Sequence, residues 1–208
     1  MPKKIIILRH GEKHDAYQLC STGVERSLAL EAQYLGKNAT NAGELFKHGE
    51  VPAAFFAITL HTIELASPSA QSWNLPLIAY SAVPAGSSPW SDSDAVLDAR
   101  TVQAAADVLS SAWDDKVVVM VWEHKHIADK KLNKQKVTLY SLLGLDTLGS
   151  DVPDKWEGAN YDFFWVVDYD GKSPTKFRSV LQTYTAPYAD LPQNAWGVAA
   201  TLPSDCQS

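Results

Sequence analysis

Short runs of β-branched and apolar residues alternate along this chain with longer stretches of helical spacing, a pattern that specifies strands interleaved with helices and a mostly parallel sheet. Residues 5–8, Ile-Ile-Ile-Leu, read as a buried first strand. A helix is predicted over 23–37, capped by Ser21 or Thr22, with Leu28, Ala32 and Leu35 at helical spacing. A second strand is expected over 53–59, a helix over 62–73 in which Pro68 introduces a kink, and a third strand over 77–80. Ser, Pro, Gly and Asp dominate 81–94, which reads as a surface loop. The next helix is expected over 94–113, with Val102, Ala106 and Leu109 on its apolar side. Val117 to Val121 form the clearest buried strand, within 116–122, and a helical segment opens at Glu123-His124-Lys125-His126 and runs to Leu143. Aromatic and β-branched runs at 161–168 and 176–184 flank Tyr169-Asp170-Gly171-Lys172, whose Asp-Gly step suggests a hairpin.

Composition narrows the class. The 208 residues, 46% hydrophobic and 20% charged, suit one domain with a substantial core, and no repeat or linker divides them, so a single domain over 1–208 is expected. A net charge of -6 offers no general attraction for nucleic acid or a membrane surface, and no apolar run approaches the roughly 20 residues of a spanning helix. The start lacks the apolar region of a secretory signal, which predicts a cytoplasmic protein. Cys20 and Cys206 are too few for a disulfide framework and lack metal-site spacing, so both are expected to be inert thiols. Among seven tryptophans, Trp90 and Trp122 fall near the candidate chemistry and are expected to line a pocket.

That chemistry centres on two histidines. His10 follows the first strand directly, between Arg9 and Gly11, and His124 follows the Val-rich strand in the same way. In an open α/β sheet, ligands bind beyond the carboxyl ends of the strands, so a nucleophile, a guanidinium and a second imidazole can meet there. His14 and His48 sit in polar stretches and read as solvated, as do Lys125 and His126 on a helix face.

The segments Leu8-Arg9-His10-Gly11-Glu12, Leu19-Cys20-Ser21-Thr22-Gly23-Val24-Glu25-Arg26-Ser27 and Val117 to His124 resemble, in order, the motifs of the histidine phosphatase or phosphoglycerate mutase-like superfamily, over residues 4–145. The resemblance implies a three-layer α/β/α fold with a mostly parallel central sheet. It implies a phosphohistidine intermediate at His10, phosphate held by Arg9 and His124, and no metal or other cofactor. A phosphohistidine divides one difficult transfer into two easier steps, and a guanidinium fork matches phosphate bidentately. Glu12 and Lys13 extend the motif, Glu12 as an orienting group for pocket cations and Lys13 as positive charge at the phosphate rim; Arg26 reads as structural.

Two positions depart from the superfamily pattern. Aligning Leu65-Ala66 with its Thr-Ala pair puts His61 where a second phosphate-binding arginine stands, which lowers the positive charge expected at neutral pH. The proton donor is also displaced: Lys125 follows His124 where one branch has Asp, and residues 81–98 hold no Glu, leaving Asp92 or Asp94 as candidate acids. These residues predict a phosphohydrolase acting on a small phosphate monoester. The alternative is a weak or inactive phosphate-binding protein on the same fold. A mutase is disfavoured by the lack of an obvious charged lid, and a dinucleotide enzyme by the lack of a Gly-x-Gly-x-x-Gly turn.

Overall fold

The computed structural model describes residues 1–47, 49–81, 91–158 and 160–206, apart from the side chains of 91–94. Six strands form one sheet: β1 (Lys4–Arg9), β2 (Pro52–Ala57), β3 (Leu77–Ala79), β4 (Val117–Trp122), β5 (Phe163–Asp170) and β6 (Ser173–Leu181), in the order β3-β2-β4-β1-β5-β6. The first four are mutually parallel where they pair, and β5 and β6 add an antiparallel hairpin beside β1. The hairpin turns at Gly171, whose φ of 54° suits the absence of a Cβ.

Period-two alternation divides even the all-apolar runs between the two faces. Ile5, Ile7, Phe56, Val118 and Met120 point one way, toward Leu97, Ala104 and Val108 of helix α3 (Ser91–Val108) and Leu139 of α6 (Leu139–Leu142). Ile6, Leu8, Phe55, Val119 and Val121 point the other way, toward Leu30 of α1 (Ser21–Leu30) and Leu65 and Ala70 of α2 (Leu60–Trp73). The result is the three-layer α/β/α arrangement with a mostly parallel sheet.

Several local expectations are corrected. Helix α1 begins at Ser21 and ends in a π-helical turn at Glu31–Leu35. Its buried side is Arg26, Ser27, Ala29 and Leu30, while Leu28 is 46% exposed. Ser21 and Thr22 do not cap it: Cys20 is the N-cap residue, and the Ser21 amide donates to the Asp205 carboxylate of the chain's last segment (3.0 Å). Helix α3 turns Leu97, Thr101, Ala104 and Val108 inward and leaves Val102 exposed. Its phase follows Thr101, whose hydroxyl accepts the indole N–H of Trp122 at 3.0 Å. Trp122 is therefore a core residue rather than a pocket wall, and Trp90 lies outside the described residues. The helical segment after β4 is three short helices, α4 (His124–Ile127), α5 (Lys130–Gln135) and α6. His126 is buried against Asp98 at 2.8 Å rather than solvated.

The cysteines are not free. Cys20 and Cys206 form a disulfide across a sequence separation of 186, fixing the last segment to the start of α1. Closing so long a loop removes much of the unfolded chain's freedom. Cys206→Ser is expected to lower the unfolding free energy by about 2–5 kcal/mol. Thermal melts check it: reductant should bring the wild type down to the variant, and coincident melts without reductant would contradict the bond.

Candidate active site

Parallel β1, β2 and β4 end on the same edge of the sheet, and their following residues form the site. The His10 amide donates to the Trp122 carbonyl (2.9 Å), which extends the β1–β4 ladder to the motif itself. Arg9, His10, His61 and Glu123 are all buried, and His124 is half-buried.

The His10 ring is oriented by its own neighbour, with Nδ1 2.7 Å from the Gly11 carbonyl. A carbonyl only accepts, so Nδ1 carries the proton and Nε2 presents its lone pair. Nε2 lies 2.9 Å from Arg9 Nη2 and 3.3 Å from His124 Nδ1. Arg9 Nη2 also donates toward His124 Nδ1 (3.3 Å), so one guanidinium nitrogen serves both rings. Burial, then the charge of Arg9, pushes His10 well below the usual imidazole range and His124 down to about 3; both are neutral acceptors in this arrangement. Burial also lowers Arg9, to about 10, which leaves it cationic.

Arg9 is held from the far end of the chain. Its Nη1 donates to the carbonyls of Gly158 (2.6 Å), Glu157 (3.3 Å) and Asn160 (3.4 Å), and its guanidinium carbon lies 4.0 Å above the Tyr161 ring. Three tryptophans secure this segment: Trp156 packs on Trp165 (4.9 Å between ring centroids) and on Trp196 (5.3 Å). The Asn160 side-chain amide donates to Ala195 and Val198 carbonyls, tying the segment to the C-terminal stretch. The Arg9 Nε and the Tyr161 hydroxyl are buried without a partner, two donors facing no acceptor.

Glu123 is the main addition to the sequence-based set. It follows β4 as the N-cap residue of α4, directly before His124, and its Oε2 lies 3.6 Å from His10 Nε2. Its Oε1 accepts from the Thr59 hydroxyl (3.0 Å) and closely contacts His61 Nε2. Burial pushes this carboxyl up, but the hydrogen bond from His61 and the charge of Lys13 oppose it, and the carboxyl is held well below the usual range. Thr59 and His61 flank the start of α2, where Thr62 Oγ1 accepts the amides of Ile58 and Thr59 (2.9 and 2.8 Å) and fixes the turn.

The expected site residues divide accordingly. Arg9, His10 and His124 come together. His61 reaches the pocket wall but has both nitrogens engaged, Nδ1 with the Ala16 carbonyl (3.2 Å) and Nε2 with Glu123, so neither is presented to phosphate as the missing arginine would be. Glu12 is fully buried and accepts from Arg26 (2.7 and 3.0 Å). Lys13 is half-buried and feels the charge of Glu123. The side chains of Asp92 and Asp94, in the first turn of α3, lie outside the described residues. Sequence reading missed Glu123, although a carboxylate beside a strand-end histidine was a usable signal; nothing local marks Tyr161 or the 157–160 carbonyls.

His10, Glu123 and His124 each offer a ligand atom, all within 4.8 Å of one another, a donor set that could hold a metal. Arg9 Nη2 already lies against the two imidazole nitrogens, 2.9 and 3.3 Å away, so a cation bound to both would require the guanidinium to withdraw. An open cavity of about 620 Å³ lies at the amino ends of the parallel strands, around Lys3, Asp115, Tyr169 and Lys172, and contains no imidazole. No described helix is long and apolar enough to cross a membrane.

No protein-family model matches the sequence, and no curated protein matches it. Among solved structures the chain is similar to YhfR of Bacillus stearothermophilus, at 13% identity, with 90% of this chain and 100% of that one covered and a TM-score of 0.49. It is similar to a mycobacterial glucosyl-3-phosphoglycerate phosphatase at 12% identity, covering 88% and 99%, with a TM-score of 0.43. A phosphoglycerate mutase from Plasmodium falciparum shows 13% identity, 96% and 97% coverage and a TM-score of 0.41.

Proposed function

We propose that this chain is a phosphohydrolase that acts on a small phosphate monoester through a phosphohistidine at His10. The observation that carries the reading is the Gly11 carbonyl at 2.7 Å from Nδ1, which leaves Nε2 as the nucleophilic lone pair facing Arg9 and His124. In the first step Nε2 bonds to phosphorus and the ester oxygen leaves with the bonding pair. In the second, water attacks phosphorus and the N–P pair returns to His10. Arg9 supplies fixed positive charge to the phosphoryl oxygens, with Nη2 and the unpartnered Nε as donors. An arriving phosphate dianion raises the proton affinity of His124, converting it from acceptor to donor. His10, Arg9 and His124 hold these roles without a metal in this scheme, and the substrate or free phosphate is the only ligand invoked.

Purified protein should release phosphate from an aryl phosphate in the presence of EDTA, with a transient phosphoryl-enzyme that is labile to acid and stable to base. Phosphate release without a phosphoryl-enzyme, or release only with added metal, would exclude this mechanism. A second reading, a weak or inactive phosphate binder, is favoured by the Glu123 carboxylate 3.6 Å from His10 Nε2, which repels an incoming anion. Stabilisation by inorganic phosphate with no turnover of any ester would select it.

A further inference from the structure

We infer that Tyr161 is a positioning residue of the phosphate site: its neutral aromatic face holds the Arg9 guanidinium where a carboxylate would otherwise stand, and so leaves the charge of Arg9 free for substrate. The role rests on the phosphate pocket of the reading above, and it is read through phosphate affinity as well as turnover. Arg9 is 2% exposed, and among the described residues no ion pair joins it to a carboxylate. Glu12 and Glu123, whose charges it feels, are engaged elsewhere, Glu12 by Arg26 and Glu123 by Thr59 and His61. A buried cation without a counterion is costly unless other groups stabilise it. Backbone carbonyls serve Nη1, and the face of the guanidinium meets the Tyr161 ring, with 4.0 Å from its central carbon to the ring centroid. Such a face attracts a cation through its quadrupole, most strongly where water is excluded.

A carboxylate in that place would pair with the guanidinium and compete with an arriving phosphate, whereas a π face stabilises the same cation without neutralising it. The phenol stays neutral, because burial raises it above its usual value against the opposing charge of Arg9. The ring is fixed from both sides along the chain. Asn160 donates to the Ala195 and Val198 carbonyls, Asp162 lies 2.9 Å from Arg26 Nη2 and accepts from Asn194, and both flanking residues are inaccessible to solvent. The same ring meets the His10 imidazole at a steep angle, 77°, with centroids 5.9 Å apart. One platform therefore touches both the cation and the nucleophile, in a reaction that depends chiefly on position and charge. The Tyr161 hydroxyl has no partner, so the role belongs to the ring face and not to the hydroxyl.

The test compares wild type with Tyr161→Leu, Tyr161→Phe and Tyr161→Glu, by calorimetric titration with inorganic phosphate and by kcat and KM on nitrophenyl phosphate, at a temperature where melts show each protein folded. Tyr161→Leu removes the face and should raise the phosphate Kd and the KM about 10–100-fold, with a smaller fall in kcat. Tyr161→Phe keeps the face without the hydroxyl and should recover most of that loss, to within about threefold of wild type. Tyr161→Glu supplies the counterion that the site lacks and should bind phosphate more weakly than Tyr161→Leu; the Leu and Phe variants carry the comparison if it does not fold. Equal phosphate affinity in the Leu and Phe variants would overturn the role of the aromatic face. Wild-type affinity in Tyr161→Leu, in a protein that still turns over through His10, would overturn the role of Tyr161 alone. A wild type that neither binds phosphate nor releases it from the ester would remove the phosphohydrolase reading and this role with it.

Discussion

Replacing His10 with alanine is expected to lower kcat by at least about 10⁴-fold while leaving phosphate binding measurable. The substitution removes the Nε2 lone pair on which covalent transfer depends, and no second nitrogen can take its place. His124 Nδ1 is 3.3 Å away, but it faces Arg9 and lacks the carbonyl contact that fixes the His10 tautomer. Arg9 keeps its three carbonyl partners and its stacking on Tyr161 without His10, so the guanidinium remains where an anion would meet it. Inorganic phosphate should therefore still raise the melting temperature of the variant. Loss of turnover together with retained phosphate stabilisation is the expected pair of results. Undiminished turnover would exclude His10 as the nucleophile, and turnover lost with phosphate binding would show that the variant had disrupted the pocket.

The geometry behind that expectation was only partly legible in the sequence. Ile5 to Leu8 and Val117 to Val121 announce buried strands because β-branched runs of this length suit little else, and Arg9, His10 and His124 are conspicuous at their ends. The helix faces are a different matter. In α1 the inward side includes Arg26, and beyond it Gln33 and Tyr34, polar groups that hydrophobic spacing assigns to solvent. They are buried because the distant stretch after β6 satisfies them: Gln182 meets Arg26, Thr185 meets Gln33, and Thr183 meets the Tyr34 hydroxyl. The same long-range logic hid the Arg9 anchor at 157–160 and the Cys20–Cys206 bond. The disulfide also bears on the cytoplasmic expectation, since such bonds persist chiefly in oxidising surroundings.

Arg26→Met is expected to cost about 3–5 kcal/mol of stability, because it leaves buried carboxylates without their cation. Glu12 and Asp162 are both inaccessible to solvent. Arg26 Nη2 lies 2.7 Å from Glu12 Oε1 and 2.9 Å from Asp162 Oδ1, and Nη1 donates to Gln182 (3.0 Å). Burial alone pushes Glu12 up, yet Arg26 holds it below the usual carboxylate range, and the paired carboxylates together hold Arg26 well above its ordinary value. The network joins α1, the loop that carries His10 and the residue leading into β5, so its loss should loosen the site as well as the fold. At about 2–4 °C per kcal/mol for a chain of this size, the melting temperature should fall by about 6–20 °C. Asp162 retains the Asn194 amide and side chain (2.9 and 3.0 Å), whereas Glu12 loses its paired cation. Glu12→Leu added to Arg26→Met should therefore recover part of the loss, since a buried apolar side chain replaces an unpaired charge. A double variant less stable than Arg26→Met would mean that Glu12 is held by the loop itself and that the pair is not the fastening it is taken to be.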